Sequence, residues 1–207
     1  MDAGPAGRDD LEAEIGEKMQ AWMALQGDIA GLRARWRKLW TADDASIVAD
    51  YAFETPDGPV RLSQLFGDRD DLIVVHNMGR GCGYCTLWAD GFIGLLPHLE
   101  SRAAFVISSP DDPSTQAAFA AERGWPFRMI ALGESHFAQD MGFADDAGSY
   151  MPGYSTFHRG EDGQIRRVSK DFFGPGDPYC GVWHFFDQLA EGPAGWYPRF
   201  AYGDDGA

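Results

Sequence analysis

The run Asp71-Leu72-Ile73-Val74-Val75-His76 is almost continuously apolar and β-branched, and Asn77-Met78-Gly79-Arg80-Gly81 and then Cys82-Gly83-Tyr84-Cys85 follow it. A run of that length without polar alternation predicts a strand buried on both faces, as in the interior of a parallel sheet. The glycines that follow predict a tight turn. From Cys82 the apolar positions take up a helical period that lasts to about residue 98. The unit reads as strand, turn, helix, with two cysteines at the junction.

The alternation extends in both directions. Downstream, residues 103–107 read as a second apolar strand, and residues 113–123 as a helix with proline in its first turn. Residues 127–132 make a third strand, and a short helix is expected over 136–141. Residues 154–158 and 165–168, split by Arg159-Gly160-Glu161-Asp162-Gly163, predict a hairpin, and 181–190 a last helix. Upstream, 51–53 and 60–62 flank Thr55-Pro56-Asp57-Gly58-Pro59 as another hairpin, closed by Leu65-Phe66-Gly67. The pattern predicts an α/β fold, a mixed central sheet flanked by helices.

Residues 10–40 carry a different period. Ile15, Trp22, Ile29 and Trp36 recur every seven residues, with Leu11, Leu25, Leu32 and Leu39 as a companion seam that Lys18 interrupts. Gly27 and Gly31 weaken the middle, so one long helix and a helical hairpin both fit. Such an arm either covers the chain's own core or forms the seam of a homodimer. The expected organisation is a helical arm over 1–45, an α/β domain over 46–192 and a Gly/Pro/aromatic tail over 193–207.

The chain has 207 residues, of which 44% are hydrophobic and 14% aromatic, a globular composition. Lys and Arg number 17 against 32 Asp and Glu, a net charge of −15. That balance argues against nucleic acid and against anionic membrane surfaces as partners. No apolar stretch is long enough to span a bilayer. Met1-Asp2-Ala3-Gly4-Pro5 lacks the features of a secretory signal, so the expected location is the cytoplasm, where thiols stay reduced.

Three cysteines are too few for a disulfide scaffold. A thiol in the first turn of a helix faces unpaired N–H groups and the positive end of the helix dipole, which favour thiolate. Cys82 is thus the expected nucleophile. Two intervening residues bring Cys85 back beside it as the resolving thiol. Arg80 adds a positive charge near Cys82, and Tyr84 is expected to face solvent and meet substrate. His76, at the strand end, either tunes a thiol or is a satisfied core histidine, and Trp88 is expected in the core. Cys180 and His184 would complete a zinc set with Cys82 and Cys85, although Cys180 also reads as a small buried residue or a second resolving thiol. Gly79-x-Gly81-x-Gly83 lacks the spacing of a dinucleotide loop.

Tyr51-Ala52-Phe53, Gly58-Pro59-Val60-Arg61-Leu62-Ser63-Gln64-Leu65-Phe66, and the Cys82/Cys85 pair followed by Trp88 and Asp90-Gly91-Phe92 carry a resemblance. The sequence resembles bacterial thioredoxin-like proteins of unknown function, relatives of the AhpC/TSA and thioredoxin superfamily. The resemblance spans most of residues 20–170 and implies a thioredoxin-like fold with an N-terminal helical extension, but no settled activity. Asn77 and Gly79 depart from it, since relatives show an aromatic after the histidine. Gly81 stands where thioredoxins have tryptophan. A thioredoxin fold carries a cis-proline opposite the cysteines, and Pro152 holds that place in the element order, where an ordinary turn proline fits equally. Peroxiredoxins place a Thr or Ser three residues before the peroxidatic cysteine. Gly79 and Cys82 stand there relative to Cys82 and Cys85.

The expected function is thiol–disulfide exchange through Cys82 and Cys85, needing no cofactor. Its expected partners are a disulfide-bearing protein or small thiol substrate and a cellular reductant. A metal-binding or redox-sensing module on Cys82, Cys85, Cys180 and His184 is the alternative. An atypical peroxiredoxin-like peroxidase is the second.

Overall fold

The computed structural model describes residues 7–39 and 46–202. The chain divides into two compact units, Met1–Ser46 and Ile47–Ala207. The first contains helix α1, Arg8–Leu39, which runs without a break through Gly27 and Gly31. Asp9 and Asp10 in its first turn and Arg37 and Lys38 in its last complement the helix dipole. None of its residues is buried. Trp40, expected to end the helical period, and the remainder of the arm to residue 45 lie outside the described residues.

The second unit is built on one seven-stranded mixed sheet of order β2-β1-β5-β4-β3-β6-β7. Its strands are β1 (Ala52–Thr55), β2 (Gly58–Arg61), β3 (Asp71–His76), β4 (Ala104–Ser109), β5 (Arg128–Ala131), β6 (Gly153–Arg159) and β7 (Ile165–Phe172). Strands β3, β4 and β5 run parallel at the centre, while β6 and β7 extend the sheet antiparallel on one side and β1 and β2 on the other. The helices are α2 (Leu62–Leu65), α3 (Gly83–Glu100), α4 (Pro113–Arg123), α5 (Phe137–Met141) and α6 (Val182–Phe186).

The continuous apolar run of β3 serves two cores at once. Leu72 and Val74 join Phe53, Val106, Phe137 and Phe157 on one face, while Val75 joins Trp88, Phe92, Ile107 and Phe127 on the other. Successive strand residues point to opposite faces, so a strand covered on both sides must be apolar throughout. Strand β4 repeats the pattern, with Val106 in the first core and Phe105 and Ile107 in the second. Helix α4 starts as expected: the Asp112 side chain caps it by accepting from Ser114 N and Thr115 N, and Gly124, with φ of 68°, ends it.

Three elements differ from expectation, one of them β7, which runs to Phe172 where the expected strand ends at 168. Leu62, expected to end a strand, opens the helical turn Leu62–Leu65, because Gln64 Oε1 accepts from Arg61 N at 2.8 Å and Asp50 from Ser63 N at 2.8 Å. Helix α6 ends at Phe186, well short of residue 190. No described helix is long and apolar enough to cross a membrane.

Candidate active site

The cysteines lie where β3 hands over to α3, at the carboxyl end of the parallel strands, the usual place for function in open α/β sheets. Asn77 is buried, and its Oδ1 accepts from Gly79 N at 2.8 Å. Gly79 has a φ of 101°, open to glycine and strained for other residues, and a side chain there would meet the Asp111 carboxylate. Asp111 Oδ2, beyond the end of β4, accepts from Arg80 N at 2.7 Å, and Cys82 N donates to Gly79 O at 3.1 Å. These bonds fix the chain so that Cys82 becomes the N-cap of α3.

As N-cap, Cys82 directs its sulfur at the helix's unpaired N–H groups, and Cys85 N donates to Cys82 Sγ at 3.1 Å. Cys82 is half-buried and Cys85 is buried; both are free thiols. The Cys85 side chain, hydrogen-bonded to Cys82, is the largest influence lowering the Cys82 thiol, which falls to about 7 against the opposing effect of partial burial. The backbone N–H groups of Cys85 and Tyr84 lower it further. Cys85 moves the opposite way. The same hydrogen bond, burial and the negative charge of Cys82 push its pKa strongly up, although Met78 N donates to Cys85 Sγ at 3.4 Å. One thiol is thus primed as thiolate while its neighbour keeps its proton.

The other expected residues divide. Arg80 is exposed and holds the turn through its backbone N–H, and its guanidinium is not among the groups that lower Cys82. Tyr84 does not stand free in solvent: its ring packs 6.1 Å from Trp88 and 6.0 Å from Trp183. Trp88 is buried in the core, as expected. His76 turns to the face opposite α3, its Nε2 2.9 Å from Ser155 Oγ and its ring stacked 3.9 Å from Phe143. It is a core histidine and leaves the thiols to the turn.

Pro152 is corrected from the cis reading, since no cis peptide bond occurs among the described residues. Its carbonyl accepts from Phe173 N at 2.9 Å, extending the β6–β7 pairing by one step past Gly153. The zinc set is corrected too. Among the described residues no three His, Cys, Asp or Glu side chains converge as a metal site, so Cys82, Cys85, Cys180 and His184 do not form one. His184 is exposed on α6. Cys180 packs against the second core, and burial together with nearby Asp177 holds its thiol up.

Two contributors were missed in the sequence. Asp111 clamps the turn, and its only signal was an acidic residue just after an apolar strand. The tail is the other: a side chain on Gly83 would meet the Pro198 carbonyl at 3.0 Å, so the chain near Pro198 lies against the start of α3. Arg123 holds that tail by donating to the Phe200 carbonyl while pairing with Asp90 on α3. Surface clefts of about 460, 420 and 590 Å³ lie elsewhere, with neither Cys82 nor Cys85 in their walls.

A family model described as a bacterial protein of unknown function, DUF899, matches residues 32–195. No curated protein matches the sequence. Among solved structures, the yeast mitochondrial 1-Cys peroxiredoxin is 14% identical with a TM-score of 0.51, over 62% of this chain and 66% of its own. An uncharacterized conserved protein from Geobacillus kaustophilus is 17% identical with a TM-score of 0.50, over 66% and 72%. Peroxidoxin BcpB from Mycobacterium tuberculosis is 28% identical with a TM-score of 0.47, over 57% and 79%. The first two likenesses are of fold, and the fold is thioredoxin-like, as the motifs of the sequence implied.

Proposed function

The chain belongs to the bacterial proteins of unknown function grouped as DUF899, and on that premise we propose that it is a thiol–disulfide oxidoreductase acting through Cys82 and Cys85. The observation that carries this reading is the N-cap geometry: Cys82 Sγ accepts the Cys85 N–H at 3.1 Å, with its pKa drawn down to about 7.

The chemistry runs in two exchanges. The Cys82 thiolate attacks one sulfur of a substrate disulfide, forming a Cys82–substrate mixed disulfide and releasing the other substrate sulfur as thiolate. That step removes the negative charge on Cys82 and the hydrogen bond to it, two of the causes that hold the proton on Cys85. Cys85 then loses its proton to solvent and attacks Cys82 Sγ, forming the Cys82–Cys85 disulfide and releasing the reduced substrate. Two electrons have passed to the substrate, and a dithiol reductant restores the pair. Cys82 is half-buried beside the exposed Arg80 and Gly81, which suits a disulfide on a protein or on a small compound.

Cys85→Ser protein should accumulate the mixed disulfide with an oxidised small thiol, seen as one adduct per chain by intact mass, and Cys82→Ser should form none. Alkylation of Cys82 should rise with a midpoint near pH 7. A midpoint above about 8.5, the value of an ordinary cysteine, with no turnover of any disulfide would overturn the proposal. Consumption of hydrogen peroxide without disulfide turnover would replace it with a peroxidase.

A further inference from the structure

Helix α1 presents a seam to solvent. Ile15, Trp22 and Ile29 at one heptad position and Leu11, Leu25 and Leu32 at the other are exposed side chains on a single helix of 32 residues. Trp36 and Leu39 continue the two rows and are exposed as well. Apolar residues at both positions over about four heptads are the pattern of a helix that packs against another helix. The glycines of α1, at positions 16, 27 and 31, all fall outside the two rows.

The charges along α1 say what that other helix is. Its first half carries Asp9, Asp10, Glu12, Glu14 and Glu17, against Arg8 and Lys18. Its second half carries Arg33, Arg35, Arg37 and Lys38, against Asp28. Each half is therefore complementary to the opposite half of a second α1 running the other way. We propose that α1 pairs with α1 of a second copy of this chain as an antiparallel coiled coil.

The heptad register makes the pairing specific. Stacking Trp22 against Leu25 of the second copy places Ile15 against Leu32 and Trp36 against Leu11. In an antiparallel pair the flanking positions meet their own kind across the seam. That register sets Glu14 opposite Arg35 of the second copy and Glu12 opposite Arg33, each contact occurring twice by symmetry. Lys18, the break in the apolar row, falls against Ile29. A parallel pair in register would face the two Lys18 ammonium groups across the seam and lay acidic half beside acidic half, which disfavours it.

The experiment is sedimentation velocity of the full chain under reducing conditions, so that no intermolecular disulfide contributes. Wild type should be a dimer. Glu14→Arg and Arg35→Glu should each weaken it about tenfold, since each turns two attractions into two repulsions. The double reversal should restore wild-type affinity, and Ile29→Asp should give monomer with unchanged helix content by circular dichroism. Wild type that is monomeric at every concentration would overturn the proposal. So would a dimer indifferent to Ile29→Asp, or a double reversal no tighter than either single one. Disulfide turnover is assayed separately, so loss of the dimer is distinguishable from loss of the Cys82 chemistry.

Discussion

His76 and Cys82 sit at the two ends of one turn and show how a few residues separate structural from chemical roles. Cys82 is half-buried and ringed by N–H donors, so its anion is favoured. His76 is enclosed between Phe137 and Phe143, and burial is the first cause that lowers its pKa, to about 3, with the positive charges of Lys170 and Arg167 adding to it. The sign of the consequence follows from linkage. The folded state holds His76 neutral while the unfolded chain protonates it at about 6.5, so the stability it confers is complete above pH 6.5 and drains away as pH falls toward 3. Within that window the unfolding free energy should fall by about 1.4 kcal/mol per pH unit from this group. Asp71, whose pKa is lowered by His158 and Arg102 against its own burial, adds a loss of the same sign only below its ordinary 3.8. His76→Phe leaves Ser155 Oγ without its partner, so the variant should be less stable at neutral pH by about 1–3 kcal/mol, with a flatter acid limb. Urea titrations at several pH values check this, and an equally steep acid limb in the variant would remove His76 from the account.

At the scale of elements, β6 can pair as it does only because Gly153 has no side chain. A Cβ there would overlap the Asp171 carbonyl and the Phe143 ring, both held by the sheet and the first core. Gly153→Ala should cost about 1–3 kcal/mol by urea denaturation. Gly94→Ala is the control: it lies in the interior of α3 with nothing within 4 Å of a Cβ, and should stabilise by about 0.5–1 kcal/mol. Equal effects at the two sites would contradict the steric account. The same elements show what could be read from sequence. β3, β4, α3 and α4 were legible because their signals are local: apolar β-branched runs, a proline at a helix start, a cysteine pair at a junction. The strand order was not, since β3 finding β6 depends on Val74 meeting Ser155 across eighty residues of chain. Nor was the pairing of the Pro152 carbonyl with Phe173 N, or the half-buried place of Tyr84, packed on Trp183 from a late helix. The cysteine pair at the start of a helix was legible and the clamp on its turn was not, because Asp111 reaches the turn only once β4 lies beside β3.

The whole molecule adds a field that no single residue supplies. The chain that carries Cys82 has a net charge of −15, and in the turn itself Arg80 is the one charged side chain. The Debye length is about 10 Å at 0.1 M salt, so at low ionic strength the summed negative charge acts on any ion approaching the site. Reaction of the reduced protein with cystamine, a dicationic disulfide, should therefore slow as salt is added. Reaction with a dianionic aromatic disulfide should quicken over the same range, and the two salt dependences should converge as screening becomes complete. The intrinsic reactivities of the two disulfides differ, so the salt slopes carry the test and not the rates. Arg80→Ala should steepen the slope for the anion, because it removes the positive charge of the turn itself, and it should leave the thiolate midpoint of Cys82 unmoved, since the guanidinium does not contribute to it. Slopes of the same sign for both probes would mean that the local surroundings of the turn outweigh the net charge. The substrate would then be selected at contact and not during approach. Opposite slopes would mean that the acidity of the chain itself discriminates, favouring disulfides set in basic or neutral surfaces over acidic ones.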